Sequence, residues 1–170
     1  NEELCNSLEA FGGFYRNLLS KGRDVIPVKN EIEMIKDYLD LQKLRYGNEI
    51  SYEIWVDEEI SNFKVLKMIL QPFVENSIIH GIHPKGQAGI VIVKGERKGN
   101  FLYFSISDDG VGMNQDTIAQ LLGGIRENRK SFGVRGTIER MCIFYEMDIP
   151  YGINSSSSGT EIWFRLPVIE

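Results

Sequence analysis

Apolar residues at Leu4, Leu8, Phe11, Tyr15, Leu18 and Leu19 recur at the spacing of one helix face, which predicts a helix from Glu2 to Ser20 ended by Lys21-Gly22. A second helix is predicted from Asn30, where Asn30 and Glu33 have the spacing of a capping box. It runs through Ile32, Ile35, Leu39 and Leu44 to a stop near Gly47. The apolar period then drops to two. Ile50 to Val56 reads as a strand with Tyr52, Ile54 and Val56 on one face. A long apolar helix follows, roughly Lys64 to His80, with Pro72 inside it. Proline there removes a backbone donor and crowds the preceding turn, so a kink is expected near Met68 to Pro72 unless the helix begins later.

Gly89 to Arg97 and Phe101 to Asp108 flank Lys98-Gly99-Asn100 and predict a β-hairpin. A short helix from about Asn114 to Leu122 stops at Gly123-Gly124. The polar, basic stretch Ile125 to Phe132 reads as a mobile loop. A helix from about Gly133 to Glu146 and two closing strands, near Tyr151 to Ser155 and Thr160 to Leu166, complete the pattern. The run from Ser155 to Gly159 forms the turn between those strands. Strands and helices do not alternate regularly, which points to an α+β fold with a mixed, mostly antiparallel sheet and helices on one face.

Composition narrows the function classes. The 170 residues suffice for one well-filled domain with an appendage. A net charge of −5 and a pI near 5.2 give no broad positive field, which disfavours sequence-independent binding to nucleic acid or to an anionic membrane surface. No apolar run reaches the roughly 20 residues that a membrane-crossing helix needs. The two cysteines, Cys5 and Cys142, lie far apart and read as unpaired thiols in a reducing compartment.

Four constellations could carry chemistry. Glu75-Asn76-Ser77-Ile78-Ile79-His80-Gly81 places Asn76 and His80 on one helix face, with Glu75 about 100 degrees away. An amide oxygen is a hard neutral ligand for Mg²⁺, although polar residues where a helix meets solvent look the same. Asp108-Asp109-Gly110-Val111-Gly112 ends a strand. Its carboxylates can accept from an exocyclic amine, and its glycines allow close approach to the backbone; an ordinary acidic turn is the alternative. Arg126 to Gly133 combines flexible basic side chains with a following helix start, which suits polyphosphate or is a solvated loop. Ser158-Gly159-Thr160 alone is a turn. No GxxxxGK[ST] phosphate loop occurs.

Order and spacing are more specific than any single motif. Leu70-Gln71-Pro72-Phe73-Val74-Glu75-Asn76-Ser77-Ile78-Ile79-His80-Gly81 resembles the N box, close to LQPLVENAIKHG, of sensor histidine kinases of the LytS/YesM type. Asp108 to Met113 resembles that family's G1 box, and Phe132 to Met141 its GLxNVxxRL segment. Ser158-Gly159-Thr160 resembles the closing glycine-threonine element, and Tyr38 to Tyr46 the YLxIQKxRF stretch. The resemblance spans nearly the whole chain. Two positions depart from it: Ser131 stands where a glycine is usual and Gly136 where an asparagine is usual; Pro72 fits the family's N box but stands where other members of the wider superfamily carry a glutamate.

The resemblance implies a two-layer Bergerat ATP-binding sandwich over residues 28–170, with residues 1–27 as the remnant of the dimerisation and phosphoacceptor helices. It implies Mg²⁺ at Asn76, phosphates near His80, and adenine at Asp108 in a pocket shaped by Gly110 and Gly112 and bounded by Met113. Glu75 and His80 are then the candidate catalytic residues. Gly133 and Val134 flank the phosphates, Thr160 supports Asp108, and Gly123 to Ser131, with Arg126 and Lys130, forms a lid. The implied activity is transfer of the γ-phosphate of Mg-ATP to a histidine and onward to a response regulator. The implied setting is a homodimer, as the cytoplasmic domain of a membrane-anchored sensor whose membrane segments lie outside this chain. No NPHFLFN-like phosphoacceptor element occurs here, so this chain alone is expected to bind nucleotide and do little chemistry. A degenerate signalling module and an anti-sigma-type serine kinase remain as alternatives.

Overall fold

The computed structural model describes residues 25–122 and 133–169. The helix expected over residues 2–20 and the loop expected over residues 125–132 lie outside them, as do Cys5, Arg126 and Lys130. The first strand, β1 (Val25–Pro27), is followed without a break by helix α1 (Val28–Tyr46). Val28, Glu31, Ile35 and Leu39 form the buried stripe of α1.

The capping box expected at Asn30 does not form, because α1 begins two residues earlier and has no side-chain cap. Main-chain oxygens take that role instead. The Val28 and Lys29 amides donate to the carbonyls of Phe63 and Ser61 at 2.8 and 3.0 Å, so early helical donors are satisfied by a loop. At its other end, α1 stops at Gly47 (φ 61°), as the sequence predicts.

Strand β2 (Ile50–Val56) turns Tyr52, Ile54 and Val56 inward as expected. The predicted long helix from Lys64 divides. Lys64–Leu66 is a strand, β3, paired antiparallel with β1. Met68 then takes a left-handed conformation (φ 58°), and helix α2 starts at Gln71. Pro72 therefore sits in the first turn, where its missing N–H would have no helical partner, and no kink is needed. Beyond α2 (Gln71–Asn76) the helix continues with π-type bonding over Ser77–Ile82 and a 3₁₀ turn over His83–Lys85.

The hairpin of β4 (Gly89–Lys98) and β5 (Phe101–Asp108) forms as predicted. Helix α3 (Gln115–Leu122) is N-capped by Asn114, whose Oδ1 accepts from the Thr117 amide at 2.8 Å. Helix α4 (Val134–Tyr145) and strands β6 (Tyr151–Ser156) and β7 (Gly159–Pro167) follow. The main sheet has the order β2-β4-β5-β7-β6, with β2 and β4 parallel and the other pairs antiparallel.

One face of this sheet is covered. Val91 and Val93, Leu102, Phe104 and Ile106, and Ile162, Phe164 and Leu166 all point into the core. Phe73 of α2 stacks on Phe164 with ring centroids 5.1 Å apart, joining the helical layer to the sheet. On the opposite face Tyr103 stacks on Trp163, and Trp55 is 62% exposed. The result is a two-layer sandwich that brings the end of β5, the start of β7 and the π-bonded helix together.

Candidate functional site

Asp108 ends β5 and lies opposite Thr160 in the β5–β7 register. Its carboxyl is buried and accepts the Gly110 amide at 2.9 Å, closing a turn two residues on. Burial pushes its pKa above the usual carboxylate value. Hydrogen bonds from the Gly110 amide, the Ser77 hydroxyl and the Thr160 backbone act against that shift, while the Asp109 charge adds to it.

The carboxyl is hemmed in by glycine. A Cβ at Gly81 would lie 2.6 Å from Asp108 Oδ1, and one at Gly110 would lie 2.2 Å from the Gly81 carbonyl carbon. The Val111 amide also donates to the Gly81 oxygen at 3.0 Å. The π-bonded helix and the turn after β5 therefore touch backbone to backbone, which side chains would prevent. The extra-wide helical turn falls on the residues that make this contact.

Gly112 has φ +72°, and a Cβ there would meet the Ser156 carbonyl oxygen at 1.7 Å. The close approaches at Gly110 and Gly112 are thus made to the protein's own backbone. Ser155 ties the same region together. Its hydroxyl accepts the Met113 amide at 2.8 Å and shares a 2.7 Å hydrogen bond with Thr160 Oγ1. Met113 and Thr160 are in this way held by one side chain.

Asp109 points elsewhere. Its carboxylate accepts the Ile90 amide at 2.8 Å and forms an ion pair with Lys85 at 3.0 Å. Partial burial raises its pKa, but the Ile90 amide and the Lys85 ammonium outweigh this and leave it below the usual value. Of the two adjacent aspartates, Asp109 is neutralised structurally and Asp108 faces the junction of helix and sheet.

The other candidates spread outward from Asp108. Asn76 is half-buried next to Ser77, and among the described residues its side chain has no hydrogen-bond partner. His80 is exposed one turn further on. Glu75 accepts the Gln71 side-chain amide at 2.8 Å, a pairing along its own helix. Gly133 stands at the N-cap of α4, where its carbonyl accepts both the amide and the hydroxyl of Thr137. Among the described residues a Cβ at Gly133 would meet nothing within 4 Å. Val134 is buried in the core.

Ser77, Gly81 and Ser155 are members of the site to which the sequence motifs assign no role. Ser77 and Gly81 stand within the N-box string, where Asn76 and His80 carry the recognisable chemistry. Ser155 is one serine in the run Ser155-Ser156-Ser157-Ser158 and has no local signal of its own.

A mixed five-stranded sheet, one face covered by helices, with an acidic strand end facing a helix that carries an asparagine, defines a class of nucleotide-binding ATPase domains. The model for the histidine kinase-, DNA gyrase B- and HSP90-like ATPases matches residues 62–170, and the chain belongs to that family. A histidine kinase family model matches residues 1–50. Sensor histidine kinase YpdA of Escherichia coli is 29% identical over 151 residues, which are 89% of this chain and 26% of that protein. Sensor histidine kinase YesM of Bacillus subtilis is 22% identical over 169 residues, covering 98% of this chain and 28% of that protein. The chain thus spans about a quarter of the length of these curated relatives. The solved catalytic domain of histidine kinase ThkA superposes with a TM-score of 0.64 at 13% identity, covering 84% of this chain and 94% of that one. ThkA in complex with response regulator protein TrrA gives 0.61 at 12% identity, covering 97% and 49%. These likenesses show the fold.

Proposed function

We propose that this chain is the Mg-ATP-binding catalytic portion of a two-component sensor histidine kinase. It would present the γ-phosphate to a histidine on dimerisation helices, for relay to a response regulator. The observation that supports this best is the buried Asp108 carboxyl, framed by Gly81, Gly110, Ser77 and Thr160 within a domain of this ATPase family. An ionised carboxylate accepts but does not donate, which matches the exocyclic amine of adenine.

Asn76 fits the metal role by chemistry. Its amide is half-buried and uncommitted among the described residues. No three His, Cys, Asp or Glu side chains there are grouped to hold a metal themselves. Mg²⁺ is usually held by few protein ligands together with phosphates and water, and when bound it supplies charge neutralisation on the phosphates. The protein's own share is alignment: Asp108 fixes the base, and the helix of Asn76 and His80 borders the polyphosphate. Gly133 and Val134, with Arg126 and Lys130, would complete the phosphate side, and Glu75 would brace the helix through Gln71.

In this reading residues 28–170 form the catalytic domain and residues 1–27 the tail of the dimerisation helices. The full protein would be a membrane-anchored homodimer with this part in the cytoplasm. Among the described residues no helix is long and apolar enough to cross a membrane.

Calorimetric titration of the chain with a non-hydrolysable ATP analogue, with and without Mg²⁺, tests the reading. Magnesium-dependent binding is expected; a folded chain that binds no nucleotide would refute it. Asn76→Ala is expected to abolish the Mg²⁺ dependence while the thermal transition stays cooperative. Survival of the metal dependence in that variant would remove Asn76 from the role.

A further inference from the structure

The left-handed turn that launches the N-box helix is held from two sides, on one of them by a residue that no motif includes. Glu31, on the inward stripe of α1, is 1% exposed. Its Oε2 accepts the Met68 amide at 2.8 Å and its Oε1 accepts the Leu70 amide at 2.9 Å. From the other side, the Arg140 guanidinium of α4 donates to the carbonyls of Lys67 and Met68 at 2.9 and 2.6 Å. Tyr145, also on α4, accepts the Leu66 amide at 3.1 Å.

Met68 sits at the centre of these contacts with φ 58°, a conformation that costs free energy for any residue with a Cβ. Such a residue persists where its surroundings over-determine it. Burial pushes the Glu31 carboxyl above its usual pKa, and the three amides of Leu70, Met68 and Ile69, with Arg140, act against that. A buried carboxyl is a poor way to gain stability, because an apolar side chain of similar size often does as well. It is a good way to fix the direction of two backbone donors at once.

We propose that Glu31 is a positioning residue for the nucleotide site. It locks the Met68 turn, and the turn sets the direction of the helix that carries Asn76, Ser77 and Gly81 to Asp108. This rests on the nucleotide reading above and adds to it that α1, outside the ATP motifs, governs affinity at the site.

Two measurements on the 170-residue chain test it. The first is hydrogen exchange of the ligand-free protein. Glu31→Gln keeps the shape but sets an amide group against one of the two N–H donors. Exchange over residues 71–82 is expected to accelerate at least tenfold, with β4 and β5 unchanged. Equal acceleration everywhere, or none, would overturn the proposal whether or not nucleotide binds.

The second is affinity for a non-hydrolysable ATP analogue. Glu31→Gln is expected to lower it tenfold or more. Adding Met68→Gly should bring it back to within about threefold of wild type, since glycine adopts a positive φ without support. An unchanged affinity, or a loss that Met68→Gly does not relieve, would overturn the proposal. If Glu31→Gln does not fold, Arg140→Gln, which releases the same turn from the exposed side, is judged by the same two readouts. A wild-type chain that binds no nucleotide refutes the nucleotide reading instead, and the exchange result still decides the role of Glu31.

Discussion

Gly112→Ala is expected to destabilise the protein by about 2–5 kcal/mol, lowering Tm by roughly 4–20 °C, and to remove nucleotide binding with it. Two effects combine. The backbone at Gly112 has φ +72°, which a Cβ makes costly by about 1–2 kcal/mol. The added Cβ would also sit 1.7 Å from the Ser156 carbonyl oxygen, a backbone atom that moves only if the β6–β7 turn moves. That displacement would carry away Ser155, and with it the hydrogen bonds that hold Met113 and Thr160. Gly86→Ala is the control. Gly86 has φ +63° but, among the described residues, nothing within 4 Å of a built Cβ, so that variant bears the conformational cost alone. Thermal melts in which the two variants lose the same stability would show that the Ser156 contact is relieved at no cost.

Asp108→Asn is expected to weaken binding of an adenine nucleotide by about 1–3 kcal/mol while leaving the free protein as stable at neutral pH. The asparagine oxygen can still accept the Gly110 amide, but its NH₂ group meets the exocyclic amine as a second donor. Unchanged affinity would remove Asp108 from its role. A pH signature accompanies the loss. Because burial raises the pKa of Asp108, the wild-type carboxyl takes up a proton more readily when folded than when unfolded. Its stabilising contribution is therefore fully present below the unfolded value near 3.8 and is lost as pH rises through the folded value. Ligand affinity runs the other way. An amine donor favours the ionised form, so wild-type affinity is expected to rise with pH through the raised pKa and then level off. Isothermal titrations across that range should show the rise in wild type and not in Asp108→Asn.

Elements with a sustained period were legible in the sequence, and those whose form depends on distant partners were not. Ile50–Val56 alternates over seven residues, and the β4–β5 hairpin carries its turn chemistry at Gly99-Asn100, so both could be read locally. Strands β1 and β3 have three residues each, too few to show alternation, and exist because they pair with one another. The same shortness hid the true start of α2. Val65, Leu66, Ile69 and Leu70 are all buried, so strand, left-handed turn and helix present one continuous apolar run that imitates a longer helix.

At the site, Asp108 and Asn76 stood out because their motifs combine an unusual residue with a fixed order. Glu31 could not stand out. A glutamate in a helix that also carries Glu33, Lys36, Asp37 and Asp40 looks like one more solvated charge, and its partners lie 37 and 39 residues away. The expected capping box at Asn30 failed for a related reason, since carbonyls from a loop over thirty residues later had already taken the first donors of the helix.

The strand order has a bearing on biogenesis. Ser77, Gly81, Asp108 and Gly110 come from one continuous stretch joined by a tight hairpin, whereas Ser155 and Thr160 arrive only with the last two strands. As the chain leaves the ribosome, the half of the pocket that includes Asp108 can close around short-range contacts before its support exists. Until Gly159–Pro167 emerges, β5 is the outer strand of the sheet and Asp108 lies on an unpaired rim. A nascent or prematurely terminated chain would therefore present the Asp108 carboxylate to solvent and to other chains, a liability that ends once β7 is seated between β5 and β6.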